Sequence, residues 1–324
     1  MIIAVNSGTT NTRFYLVEDG RVLDSVKIKV GLKDCAIRGN NEFYKQSIRQ
    51  EIIKIRERSR KTGGCISCIV VSGMATSSSG LYPVPHISAP ASLEDLASNC
   101  VSGNLKDISD LPFLFIPGVK NEDTHNGENL HAVDMMRGEE TEVFGILGLT
   151  HIQGPVAVLL PGSHTKLILM DEQQRIIEGH TAMGGEILES IARHTVLSES
   201  LPDPLIQKVL PEYLWKGYRY AREYGMGDAG FRVRLADVFG MMEAQERANF
   251  FAGAVLREDI KMITGKIKDT DRFLCVGSPP LSSIFMELLN SVPGQKYQPE
   301  LLTEEIAEFC SPVGAGLIAK EYGI

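Results

Sequence analysis

The chain has 324 residues, with 33 Lys and Arg against 41 Asp and Glu, a formal net charge of -8 and an isoelectric point near 5.5. That acidic balance argues against nucleic acid or an anionic membrane as the main partner, because both would repel it. A hydrophobic fraction of 43% and a mean hydropathy of -0.03 supply enough apolar side chain for real cores, which excludes a disordered or fibrous chain, and the length suits two domains.

The chain opens directly on a strand, with no basic segment leading into an apolar core, so no signal peptide is expected. No apolar run approaches the roughly 20 residues of a membrane helix. The six cysteines are too scattered for a disulfide framework. Cys65 and Cys68 have CxxC spacing but no second pair at zinc-ribbon distance, and they read as small buried strand residues. A reducing, cytoplasmic setting fits this usage.

Ile2 to Val5 predicts a strand, residues 6–11 a tight turn, and Arg13 to Val17 a second strand. In the turn Gly8 lets the backbone approach a ligand, and Ser7, Thr9 and Thr10 offer hydroxyls and successive N–H groups that suit a polyphosphate. The same residues also make an ordinary β-turn. Val22 to Val30 predicts a third antiparallel strand, and Asn40 to Arg60 a helix that buries Phe43, Ile48, Ile52 and Ile55 and solvates its charged face. A strand over Cys65 to Val71 empties into residues 74–80, a polar loop at a strand end, read either as a linker or as a substrate loop. Pro83, Pro85 and Pro90 would hold the loop extended rather than helical.

Leu93 to Asn99 predicts a short helix and Phe113 to Ile116 a strand. Loop 119–132 carries Glu122, Asp123, His125, Glu128 and His131 at no recognisable metal spacing and reads as solvated. Residues 137–147 predict a helix with Glu139 and Glu140 in its first turn. Carboxylates there are stabilised by the helix dipole, typically by about 0.3–1 kcal/mol, or one of them accepts a proton in catalysis.

Gly154-Pro155 marks a boundary between domains 1–153 and 154–324. Beyond it strand, turn (residues 161–166), strand, turn and a strand over Arg175 to Ile177 repeat the order of the amino-terminal end. Residues 181–186 lead into a helix with Ile187, Leu188, Ile191 and Val196, and residues 200–262 are mostly helical, with Trp215, Tyr218 and Tyr220 as packing residues. Phe273 to Val276 is a buried strand ending at Gly277-Ser278, and Thr303 to Tyr322 holds the last helices.

Three strings, Asn6-Ser7-Gly8-Thr9-Thr10-Asn11, Met136-Arg137-Gly138-Glu139-Glu140-Thr141 and Pro161-Gly162-Ser163-His164-Thr165-Lys166, occur in that order. With Ser72-Gly73-Met74, Val276-Gly277-Ser278 and Gly314-Ala315-Gly316, the chain resembles the 2-keto-3-deoxygalactonate kinases of the actin/hexokinase/Hsp70 superfamily over most of its length. The resemblance implies an α/β, two-domain actin-like ATPase (ribonuclease H-like) fold, with a duplicated mixed-sheet core and an interdomain cleft. It implies an ATP- and magnesium-dependent kinase for 2-keto-3-deoxygalactonate or a close sugar acid, in galactonate-type carbohydrate catabolism.

On that resemblance Asn6, Gly8, Thr9, Thr10, Arg13, Gly162, Ser163, His164, Lys166, Gly277 and Ser278 contact the nucleotide, with Gly277 and Ser278 on the adenosine side. The turn at Gly277-Ser278 also reads as a strand-to-helix connection capped by Ser282 or Ser283. Met74, Ser77, Ser78, Asp134 and Arg137 bind the sugar acid, Glu139 or Glu140 is the general base, and Arg137 pairs with the substrate carboxylate or steadies the transferring phosphoryl group. Arg13, Arg137, His164 and Lys166 are the local positive charge an acidic protein needs for such ligands.

Two positions depart from the family pattern. Asn6 stands where a metal-holding Asp is usual, so either weaker magnesium binding or a replacement carboxylate nearby is expected, and Leu81 replaces the Trp that usually follows the substrate-loop glycine. Two rivals share the fold: a non-catalytic nucleotide or sugar-acid sensor, and a phosphohydrolase in which the carboxylate orients water. Neither nucleic acid nor membrane is expected as a partner, and a homodimer is left open.

Overall fold

A computed structural model describes residues 1–61, 63–121, 129–267, 272–291 and 299–324. Glu122, Asp123, His125 and Glu128 of the loop read as solvated lie outside the described residues, and His131 is exposed.

The chain begins with strands β1 (Ile2–Ser7), β2 (Thr12–Glu18) and β3 (Arg21–Ile28), then helices α1 (Leu32–Arg38) and α2 (Glu42–Lys61). There follow β4 (Cys68–Gly73), β5 (Ile87–Ser88), α3 (Leu93–Ser98), β6 (Val101–Gly103), β7 (Phe113–Phe115), β8 (Val119–Lys120), β9 (Met135–Met136) and α4 (Glu139–Thr150). The main sheet has the order β3-β2-β1-β4-β7-β6. The β1-β2-β3 meander is antiparallel, whereas β1, β4 and β7 run parallel, so the carboxyl ends of β1 and β4 lie side by side.

The second part carries β10 (Val156–Leu160), β11 (Thr165–Met170), β12 (Ile176–Ala182), α5 (Gly184–His194), α6 (Pro211–Tyr224), α7 (Met226–Val238) and α8 (Ala244–Lys266). It closes with β13 (Arg272–Cys275), α9 (Leu281–Ser291), β14 (Glu300–Leu301) and α10 (Glu304–Tyr322). Its sheet has the order β12-β11-β10-β13-β14. In both sheets the first three strands stand in reversed order and the next parallel strand pairs with the first, which is the repeated pattern expected from the sequence.

The chain forms two compact units. One holds Met1–Gly154, Met170–Gly179 and Glu308–Ile324; the other holds Pro155–Leu169 and His180–Ala307. The single boundary expected at residue 154 is one of four points at which the chain passes between the units. The last helix explains one of these passages, because α10 lies directly on α4 within the first unit. A Cβ on Gly145 would fall 1.7 Å from the Cys310 carbonyl oxygen, and one on Gly314 1.8 Å from that of Thr141.

Each unit has its own core. In the first, Ile3, Val5, Phe14, Ile69, Val71, Phe113 and Phe115 from the sheet meet Tyr44, Ile48, Ile52 and Ile55 of α2. Phe43, expected in that stripe, is 37% exposed; the buried face runs through Tyr44 instead. In the second, α8 carries Phe250, Phe251, Leu256 and Ile260 into a core that Trp215, Tyr218 and Tyr220 flank as packing residues.

Other departures are local. The seven-residue helix α1 buries only Cys35 and shows no apolar stripe in the sequence. The third strand ends at Ile28, two residues before the expected Val30, and the strand expected over Arg175 to Ile177 runs over Ile176–Ala182. Val196, expected within the helix, is exposed in a 3-10 turn, because α5 ends at His194. Cys68 is buried in β4, but Cys65 is exposed ahead of it. No disulfide joins the described cysteines, and no described helix is long and apolar enough to cross a membrane.

Candidate active site

In the first unit the turn after β1 is rigidly built. The Gly8 N–H donates to the Asn11 carbonyl (2.8 Å), and the turn's own carbonyls at Gly8 and Thr9 accept from Leu32 N–H (3.2 Å) and Lys33 N–H (2.8 Å) as α1 begins. Gly8, Thr9 and Thr10 stay exposed, with the Gly8 N–H tied to Asn11 and the Thr10 hydroxyl accepting from Asn11 Nδ2 (2.9 Å). Ser7 is buried, and its hydroxyl accepts from Tyr44 (2.5 Å) and Thr12 (3.3 Å), so it anchors the turn. Burial pushes the Tyr44 phenol up to about 12, keeping it a donor.

Three chain segments converge at this turn. Asn6 stands opposite Ser72 on β4 and Arg13 on β2. Gly73 ends β4 at φ 75°, and a Cβ there would lie 2.3 Å from the Ser7 carbonyl oxygen and 2.9 Å from Asn6 Oδ1. Gly138, the residue capping α4 at φ 116°, comes so near that its Cβ would lie 3.1 Å from Gly73 Cα. Both positions need the left-handed backbone and the missing side chain of glycine. Together they press the amino-terminal end of α4 against the carboxyl ends of β1 and β4.

The first turn of α4 holds three carboxylates with different fates. Glu140 is fully buried, and its two oxygens accept the Gly138 N–H at 2.8 Å each; burial, then the neighbouring Glu139 charge, raise its carboxyl to about 8. It serves the helix terminus, as the dipole argument allowed. Glu139 is half-buried and accepts the Arg137 N–H (2.9 Å). Glu142, three residues further along the same face, is half-buried and accepts Asn6 Nδ2 at 3.3 Å. Burial first, then the Glu139 charge, push the Glu142 carboxyl up to about 7, against the pull of Arg13 and of the Asn6 hydrogen bond.

Arg137 is committed to the loop after β4. Its Nη1 donates to the Thr76 carbonyl (2.9 Å) and hydroxyl (2.6 Å), and its Nη2 to the Val84 carbonyl (2.8 Å), with His86 Nδ1 at 3.0 Å. That loop is folded into a 3-10 turn over Met74–Thr76, with Ser77 Oγ donating to the Met74 carbonyl (2.7 Å) and Ser78 exposed. Leu81, at the position where the family pattern has Trp, is buried in the core. Asp134 stands just before β9 and accepts the Met135 N–H (2.7 Å).

In the second unit the turn between β10 and β11 packs on the start of α5. The Ser163 carbonyl accepts the Glu186 N–H (2.8 Å), and a Cβ on Gly185 would fall 2.1 Å from the Gly162 carbonyl oxygen. His164 is exposed and pairs with Glu186 (2.7 Å). Lys166 is buried in β11, and its ammonium donates to the Thr181 hydroxyl. Gly277 lies beside this turn, its Cβ position 3.2 Å from Pro161 Cδ, and Ser278 is exposed, so the two turns of this unit are neighbours.

Two residues escape the sequence reading. Glu142 was in reach of it, since a spacing of three from Glu139 places both on one helix face. Asp259, in the middle of α8, was not. It is buried, accepts from the Thr165 hydroxyl (2.6 Å) and from the Gly184 N–H, and so fixes the turn to the start of α5 from behind.

Two units built on sheets of the same strand order, each presenting a Gly/Ser/Thr turn beside a helix start, define the α/β fold of the actin-like ATPases and the sugar kinases built on it. The fold is shared with a protein from Sinorhizobium meliloti provisionally named 2-dehydro-3-deoxygalactonokinase, at a TM-score of 0.76 and 21% identity, covering 99% of this chain and 96% of that one. The activator of the 2-hydroxyisocaproyl-CoA dehydratase from Clostridium difficile shares it more distantly, at a TM-score of 0.51 and 11% identity, over 99% and 95%. The chain belongs to the 2-keto-3-deoxy-galactonokinase family, whose model matches residues 6–305. A curated relative, "Probable 2-dehydro-3-deoxygalactonokinase DgoK1" of Rhizobium meliloti (strain 1021), is 28% identical over 203 residues, 62% of this chain and 59% of that protein.

Proposed function

We propose that this protein transfers the γ-phosphoryl group of ATP, with magnesium, to a hydroxyl of 2-keto-3-deoxygalactonate or a close sugar acid. The observation that carries the reading is the convergence of the first turn, Gly73 and the start of α4 on Asn6 and Glu142, in a chain whose family is named for that kinase. The exposed turn of Gly8, Thr9 and Thr10, with the two threonine hydroxyls, suits nucleotide phosphates, with Arg13 as the nearby cation, and Gly162, Ser163 and His164 suit them likewise in the second unit. Gly277 and Ser278 serve the adenosine side.

In the transfer the sugar hydroxyl oxygen attacks the γ-phosphorus, the bond from that phosphorus to the β-γ bridging oxygen breaks, and ADP leaves. Glu139 is the base of this reading: it is half-buried at the first turn and takes the hydroxyl proton, a role worth about 10²–10⁴ in rate. Arg137 then acts through the loop it holds, placing Met74, Ser77 and Ser78 for the sugar acid, rather than through the substrate itself.

Among the described residues no three His, Cys, Asp or Glu side chains form a metal cage. Magnesium does not require one, since it keeps several waters and leans on one or two carboxylates and the phosphates. The Asn6–Glu142 pair fits that need. Bound there, the ion would neutralise charge on the transferring phosphoryl group.

The reading is tested by incubating the purified protein with ATP, magnesium and the sugar acid and following the acid by mass spectrometry. It predicts the mass gain of one phosphoryl group; an unaltered sugar acid beside active control kinase would overturn it.

A further inference from the structure

We infer that Glu142 supplies the magnesium-holding carboxylate that the first strand lacks at Asn6, and that the Asn6 side-chain amide holds Glu142 in place for that task. The inference rests on the kinase reading and names the residue that makes it workable without an acid on β1.

The contacts of Asn6 fix which way its amide faces. Nδ2 donates to Glu142 Oε1 at 3.3 Å, and a carboxylate accepts only from a donor, so Oδ1 faces the glycine pair, 2.9 Å from the Cβ position of Gly73 and 3.8 Å from that of Gly138. An Asp at position 6 would set two carboxylates against each other here, whereas an amide on β1 and an acid on α4 hold together. The acid has moved from strand to helix while the pair keeps a single negative charge.

The three acids of the α4 terminus are not equivalent. Both oxygens of Glu140 are taken up by the Gly138 N–H, and Glu139 is bound to the Arg137 N–H. Among the described residues Glu142 Oε2 makes no hydrogen bond, and Glu142 is the acid of the three that touches the first turn's strand. The charged groups around it are Glu139 and Arg13, and Tyr15 and Cys310 stand close by. Glu139 is likewise bound at one oxygen, so what singles out Glu142 is its contact with Asn6 on β1; a hard divalent cation seeks such a carboxylate, fixed at one atom and open at the other.

The test compares the native protein with Glu142→Gln, Asn6→Asp and the exchange variant carrying both changes. Free Mn²⁺ is read by electron paramagnetic resonance in the presence of a non-hydrolysable ATP analogue, and metal-free analogue affinity is measured by calorimetry. The inference predicts that Glu142→Gln weakens Mn²⁺ uptake at least about tenfold, that metal-free affinity stays near native, and that the exchange variant, with Asp on β1 and Gln on α4, regains uptake. Native-like Mn²⁺ uptake by Glu142→Gln overturns the inference and leaves the kinase reading standing. So does an exchange variant that binds the metal-free analogue normally yet recovers no uptake. A native protein that takes up no more Mn²⁺ than the analogue does alone overturns both.

Discussion

Glu139 and Glu140 are adjacent and chemically identical, and their surroundings separate them. Glu140 has no solvent access and closes its own helix terminus, while Glu139 stands half-buried beside Arg137. Steady-state kinetics of Glu139→Gln should therefore show kcat reduced by about 10²–10⁴ with KM for the sugar acid little changed, the pattern of a group acting in the transition state. An unchanged kcat would remove Glu139 as the base.

Asp259 is tested by stability. Replacing it with Asn puts an amide where Thr165 and Gly184 need acceptors, at a cost of about 1–3 kcal/mol in urea unfolding. Burial, against the pull of its two donors, holds the native carboxyl above the ordinary carboxylate range. An acid raised on folding binds its proton more tightly in the native state, so native stability falls as pH rises from that range through the raised value. Asn does not titrate, so the deficit of Asp259→Asn should shrink as the pH of unfolding is raised upward from the ordinary carboxylate range. A deficit that grows over the same span would contradict the assignment.

At the scale of elements, α4 carries the proposed chemistry and α10 sets its position. Gly314 meets the Thr141 carbonyl and Gly145 meets the Cys310 carbonyl, contacts that no side chain can enter. Gly314→Ala should cost roughly 1–3 kcal/mol or more in unfolding experiments, as overpacked sites do, and should lower kcat because the acids on α4 shift with their helix. A variant as stable and active as the native protein would show that the two helices can part freely.

The same elements show what a sequence can and cannot carry. The inner strands of both sheets were legible because short apolar runs end in Gly, Ser and Thr, and the start of α4 was legible from Gly138 and its acids, whereas the short edge strands β6 and β14 carry no apolar run and were missed. Phe43 was misplaced because it and Tyr44 both fit a helical stripe, and only the Tyr44 phenol has the Ser7 hydroxyl to reach. Helix α1 left no trace because seven residues with one buried side chain have no period. The Arg137 contacts to Thr76 and Val84 and the Asp259 contact to Thr165 span 61, 53 and 94 residues. No local pattern encodes a partner so distant, so these contacts could not be read from the sequence.

For the whole molecule, each of the two units has its own core and sheet, and each carries a turn of Gly, Ser and Thr residues. The net charge is -8. On the proposed function, an acidic protein that binds an anionic nucleotide and an anionic sugar acid would depend on backbone N–H groups and a divalent ion more than on its overall field. The account therefore stands or falls on turnover by the native chain, with Asn6 in place.

The direct measurement is ADP formation by the purified native protein with ATP and magnesium, with and without 2-keto-3-deoxygalactonate, beside Asn6→Asp. The account predicts sugar-acid-dependent ADP release by the native protein, with Asn6→Asp bringing no large gain because Glu142 already supplies the acid. A silent native protein beside an active Asn6→Asp variant, or ADP release that ignores the sugar acid, would contradict it.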